Sequence, residues 1–180
     1  IVVWNILFSV DFLRNNILLF EGRKDEDALF LSDYYSEVES AVIMPDITYN
    51  YVARPDSIMG YMSRTKIPIK EIRERFYTDS IMTKKCARLK GRSFYDVHCA
   101  RVMKHKFRAV CVALRHRNRF SEPISDNEIW QELRHPSTFS EIFRFKRYKL
   151  FHLSFYIISK LPPSLSIRTC YVVGKVMKWI

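Results

Sequence analysis

The chain has 180 residues, 48% of them hydrophobic and 27% charged, a balance that builds a core and excludes wholesale disorder. Four glycines and seven prolines argue against a loop-rich or all-β design. Thirty bases against 19 acids leave a net charge of +11, which calls for an anionic partner such as nucleic acid or a membrane leaflet.

The charge is divided unevenly. Residues 1–60 hold 10 acids and 4 bases, whereas residues 61–180 hold 9 acids and 26 bases. Two functional halves are therefore expected, the second presenting a basic surface. Cys86, Cys99, Cys111 and Cys170 form no C-x-x-C pair and have no His at ligand spacing, so reduced cytosolic thiols are expected rather than structural zinc. No apolar run reaches the ~18–20 residues that cross a bilayer. Residue 1 is Ile, not Met, so the chain is expected to be a piece of something longer.

In chain order, residues 1–8 are β-branched and aromatic, as in a buried strand. Ser9 is placed to cap a short helix carrying Phe12 and Leu13, ending near Asn15-Asn16. Asp25-Glu26-Asp27 opens a second helix, with Ala28, Leu29, Tyr35 and Val38 facing inward. Three acids there suit the positive end of the helix dipole. Ala41 to Met44 and Ile47 to Ala53 read as two more strands.

Beyond residue 60 the pattern turns helical. Residues 69–90 form one helix, stopped by Gly91. Ser93 and Asp96 read as a capping box for the next, with Val97, Ala100, Met103, Phe107, Val110 and Leu114 inward. Arg101, Lys104, Arg108 and Arg115 fall on its other side. Ser125 and Glu128 cap a short helix ended by Pro136, and Ser137 starts another. Residues 144–151 interleave bases with aromatics, and residues 150–158 are almost wholly apolar. With the last segment to Ile180, they suit helices lying in a membrane interface.

The first 60 residues also carry motifs in a telling order. V-W-N-x-L-F runs from Val3 to Phe8, followed by D-F-L at Asp11 to Leu13. E-D-A-L-F follows at Glu26 to Phe30, then Y-N-Y-x-x-R-P-x-S-I-M from Tyr49 to Met59. This series resembles the second half of the catalytic domain of bacterial glycosyltransferase family 2. The resemblance implies a GT-A fold, of which residues 1–60 would be an α/β remnant: a few short strands and two helices. Residues 61–136 are then a basic, mainly α-helical extension, and residues 137–180 an amphipathic, membrane-associated tail.

The resemblance also implies an inverting transfer from a nucleotide-sugar donor to a glycan or lipid-linked acceptor, in surface polysaccharide synthesis. Asp27 matches the family's general base and Glu26 its neighbour. Trp4 and Arg54 match acceptor-side positions. Ile6 and Val52 stand where the family usually carries bases. The nucleotide-binding half, with the D-x-D that holds Mg²⁺ or Mn²⁺, is missing upstream. The chain alone is thus expected to be inactive, with no metal ligand of its own. The expected location is cytoplasmic, peripheral on the inner face of the membrane and against its anionic surface. The alternative is a non-catalytic basic module that binds membrane or nucleic acid, nucleic acid being the weaker expectation because no DNA or RNA motif is present.

Overall fold

A computed structural model describes residues 6–20, 25–42, 44 and 64–178. The chain divides into two compact units, residues 1–61 and 62–180.

The first unit contains α1 (Val10–Asn15) and α2 (Glu26–Glu37). Ser9 caps α1, its hydroxyl accepting from Phe12 N–H at 3.3 Å. Behind it the helix closes with Asn16 N–H donating to Phe12 C=O at 3.1 Å and Ile17 N–H to Arg14 C=O at 3.2 Å. α2 buries Leu29, as expected, together with Phe30, Leu31 and Ser32, while Ala28, Tyr35 and Val38 of the expected inward set are half-buried. Aromatic rings gather on the buried side. Phe8 and Phe30 meet edge to face at 5.2 Å, Phe20 stacks on Phe30 at 4.3 Å, and Tyr34 receives Phe8 and Phe12. Such pairs add to the area they bury, and here they decide which face of α2 turns inward.

The α/β expectation for this unit is overturned. Residues 6–8, 41, 42 and 44 are irregular, and the rest of the three expected strands lies outside the described residues. Among the described residues there is no sheet; the structure is mainly helical, with eight α-helices. The pairing present is a single parallel bridge between Ile67 and Phe120. β-Branched patterning marks a segment suited to a pleated surface, but a strand exists only when a neighbour takes its backbone hydrogen bonds.

The second unit holds α3 (Ile69–Ala87), α4 (Tyr95–Arg115), α5 (Asp126–Glu132), α6 (Phe139–Arg144), α7 (Lys149–Lys160) and α8 (Pro163–Val176). The 67–120 bridge fixes the start of α3. Ile67 N–H donates to Arg119 C=O and Ser121 N–H to Ile67 C=O, both at 2.8 Å. Pro68, at the N-cap, has no side-chain acceptor to offer, and the Ser121 hydroxyl accepts from Ile69 N–H in its place. Gly91, at φ +89°, makes the turn from α3 to α4, a left-handed conformation that glycine adopts without penalty.

α4 is the axis of the unit. It packs against α3, α5, α7 and α8, and Cys99, Val102, Met103, Phe107, Ala109, Val110 and Ala113 are all buried. Lys104, Arg108 and Arg115 lie on its exposed side, as the periodicity predicts. The expected Ser93–Asp96 capping box is absent, since Phe94 occupies the N-cap without a side-chain bond. α5 starts at Ser125 as read, with its hydroxyl on Glu128 N–H. α6 starts one residue later than read: Thr138 and Glu141 make a reciprocal capping box. α7 and α8 pack back onto α4. No helix among the described residues is long and apolar enough to cross a membrane.

Candidate functional site

The two acids singled out from sequence stand at the start of α2. Asp25 is its N-cap, held in the left-handed region at φ 57°, which Asp tolerates better than most residues. Its carbonyl accepts from Ala28 N–H at 3.0 Å and Leu29 N–H at 3.3 Å. Its Oδ2 is buried and has no hydrogen-bond partner. Glu26 is exposed at the first helical position. Asp27 is half-buried, and its Oδ1 accepts from Ala28 N–H at 2.8 Å. The aromatic packing around Phe30 anchors the same turn one residue beyond Leu29. The arrangement presents carboxylates on a fixed helix end, beside a buried oxygen that lacks a donor. Trp4 and Arg54, the other two expected site residues, lie outside the described residues.

The second unit contains polar side chains that sequence reading passed over. Ser137 N–H donates to His135 Nδ1 at 3.0 Å. That leaves the His135 proton on Nε2, which donates to His152 Nδ1 at 2.9 Å. His152 in turn donates from Nε2 to the Asp96 carbonyl at 3.0 Å. Each ring thus has one accepting and one donating nitrogen, and both imidazoles are neutral. Burial lowers both below the usual histidine value, His135 to about 3 with the neighbouring His152 pushing the same way. No spacing in the sequence announces this chain, because its members are brought together across long separations.

A second constellation joins α3, α4 and α5. Asp79 is fully buried and bonded to His105 Nδ1. Lys106 is buried and donates to Arg134 C=O at 2.9 Å. Glu132 is buried beside them, and burial lifts its carboxyl to about 8, with Lys106 pulling it down and Asp79 pushing it up. Asp79 Oδ2 and Glu132 Oε1 are both buried without a partner. A neutral Glu132 avoids placing a second buried negative charge beside Asp79. Close by, Cys86 and Cys99 bring their sulfurs to 3.2 Å as free thiols, and Tyr95 OH meets the Ser137 hydroxyl at 3.0 Å.

A cleft of about 570 Å³ opens over the histidine chain, lined by Trp130, Arg134, His135, Ser137, Tyr156 and Lys160 among others. Arg134 lies over the Trp130 ring and Lys160 over Tyr156, each at 5.3 Å. Among the described residues, no three His, Cys, Asp or Glu side chains are grouped to hold a metal ion. No family model, no curated protein and no solved structure matches the chain.

Proposed function

We propose that the chain is the acceptor-side, C-terminal part of an inverting glycosyltransferase, with Asp27 as its general base and Glu26 beside it. The enzyme moves a sugar from a nucleotide-sugar donor to a glycan or lipid-linked acceptor. The reading rests on the ordered motifs of residues 3–59 and not on the fold. One structural observation carries the choice of base: Asp27 is a half-buried carboxylate on the first turn of a helix whose register is fixed by packed rings.

The chemistry needs little else from this part of the chain. An acceptor hydroxyl is a weak nucleophile at neutral pH. A carboxylate within hydrogen-bond reach takes its proton as the oxygen bonds to the anomeric carbon. The bond to the diphosphate breaks as the new one forms, and the nucleoside diphosphate carries away the electron pair. A single displacement inverts the anomeric centre. Glu26, exposed next to the base, is placed to hold the incoming hydroxyl. Trp4 and Arg54 belong to the same acceptor-side reading.

A divalent metal on the diphosphate, Mg²⁺ or Mn²⁺, is expected to be held upstream. The deciding experiment measures sugar-nucleotide turnover by a protein in which a nucleotide-binding half is joined ahead of this chain. Asp27→Asn is expected to lower it by about 10²–10⁴-fold, the usual contribution of a positioned base. Unchanged turnover in that variant removes the assignment.

A further inference from the structure

We propose that the outward face of α7 and α8 is a docking surface for an anionic lipid bilayer. The observation behind it is a set of apolar side chains left in solvent on both helices. α7 buries Phe155 with His152 and Ser159, yet leaves Leu150 81% and Ile157 56% exposed. α8 buries Ile167 and Cys170 with Ser166 and Gly174, yet leaves Val172 60% and Val176 79% exposed, with Leu165 close behind. A surface helix of a water-facing bundle keeps its apolar stripe inward, and these two carry further apolar side chains outward.

The exposed side chains form continuous stripes. Leu150, Ser154 and Ile157 follow at steps of four and three, and Leu165, Val172 and Val176 at seven and four. Residues so spaced share one face of a helix. The hydroxyls on or beside these stripes are bonded back to their own helices. Ser154 Oγ donates to Leu150 C=O and Thr169 Oγ1 to Leu165 C=O, each at 2.9 Å. A hydroxyl bonded back to its own helix places little polar demand on an apolar medium.

Charge decides what covers the face. Residues 142–180 contain eight bases and no acid. Lys149 and Lys160 bracket the α7 stripe, and Arg168 and Lys175 each stand three residues beyond an exposed apolar residue of α8. Aliphatic stems of such bases lie along an apolar layer while their heads reach lipid phosphates. A second copy of the chain would set eight bases against eight. Nucleic acid would gain charge pairing but find Leu, Ile and Val where bases need aromatic platforms. The helices have 12 and 14 residues, so at about 1.5 Å per residue they lie in the interface and do not cross it.

This inference is independent of the glycosyl-transfer reading, and Asp27→Asn is expected to leave it untouched. Co-sedimentation of the full 180-residue chain with phosphatidylcholine vesicles, with and without phosphatidylglycerol, tests it. Binding is expected only with the anionic lipid, and to weaken with added salt. L150Q/I157Q/V172Q, all at exposed positions, is expected to retain its helical circular dichroism and lose about tenfold or more in binding. R168Q/K175Q is expected to lose about fivefold per base. Equal binding to both vesicles, or binding that the apolar triple variant leaves intact, overturns the proposal. So does a concentration-dependent dimer abolished by that triple variant, with no vesicle binding in the parent chain.

Discussion

His135 donates from Nε2 to Nδ1 of His152 across 2.9 Å, and the two rings cross nearly at right angles. The pair works as a neutral wire between the Ser137 amide and the Asp96 carbonyl. Protonating His135 puts a hydrogen on Nδ1, where Ser137 N–H already points, so the added proton breaks a bond as well as burying a charge.

Acid should therefore unfold the protein through this pair. Both histidines titrate lower in the folded chain than in the unfolded one. The unfolded state binds more protons below about pH 6.5, so the stability they contribute is present above that value and is lost as pH falls. For His135 alone the loss between pH 7 and 5 is about 2 kcal/mol. Urea unfolding at the two pH values measures it. His135→Ala is expected to be less stable at pH 7 and to flatten the acid slope. Some slope will persist, because burial lowers His98 and His116 as well, helped by nearby arginines.

Glu132 has the opposite sign. Burial lifts its carboxyl to about 8, so the folded state holds a proton that the unfolded state has released from about pH 4.5 upward. Stability is lost as pH rises through that window. Glu132→Gln keeps the neutral shape and removes the penalty. It is expected to match the parent near pH 4.5 and to exceed it by about 1 kcal/mol or more at pH 8, in paired thermal melts. A gap that fails to grow with pH refutes a protonated Glu132.

Asp96 fastens the start of α4 to the turn before α7. Its Oδ1 accepts from Val97 N–H at 2.8 Å, and its Oδ2 from Arg147 N–H at 2.8 Å and Lys146 N–H at 3.2 Å. Tyr148, next in the chain, sits in the left-handed region at φ 56° and depends on that anchorage. Asp96→Ala should cost about 1–2 kcal/mol, since it removes the shared acceptor of three part-buried amides. Hydrogen exchange at Lys146 and Arg147 is expected to accelerate more than at amides in the middle of α4.

The same residue shows what the sequence held and what it hid. Ser9 and Ser125 were readable as caps because each bonds a backbone group three residues away. Asp96 invited the same reading, but its carboxylate is drawn to amides some fifty residues on, and Ser93 is left out of the cap. Ser137 reads as a cap where Thr138 serves, and it is Glu141, three residues beyond Thr138, that completes the box. Freed from capping, Ser137 meets Tyr95 across 42 positions. The acids at the start of α2 were legible as a local cluster, whereas the buried, partnerless oxygen of Asp25 was not. The strand expectation failed at residues 6–8, 41, 42 and 44 because a β-prone pattern records a preference for one face and says nothing of a neighbour to pair with. In α7 the apolar run was plain, but hydropathy alone gave no hint that its histidine would point inward and its leucine outward.

Cys86 and Cys99 lead to the last expectation. Their sulfurs approach to 3.2 Å between α3 and α4, both side chains are fully buried, and Ser137 Oγ stands 3.6 Å from Cys99. The hydrogen bond to Cys99, then burial, raise the Cys86 thiol far above its ordinary value. Burial pushes Cys111 to about 11 and Cys170 to about 12. The thiolate is the reactive form, and a buried thiol lacks both charge and access. Native protein at pH 8 should therefore give no prompt reaction with a thiol reagent such as dithiobis(nitrobenzoate). All four cysteines should react after unfolding in guanidinium. Cys99 is the one thiol lowered, chiefly by its bond to Cys86, so Cys86→Ala is expected to leave burial in control, to raise Cys99 and to keep it unreactive in the native protein. A fast native reaction in the parent chain would mean that the α3–α4 contact opens in solution.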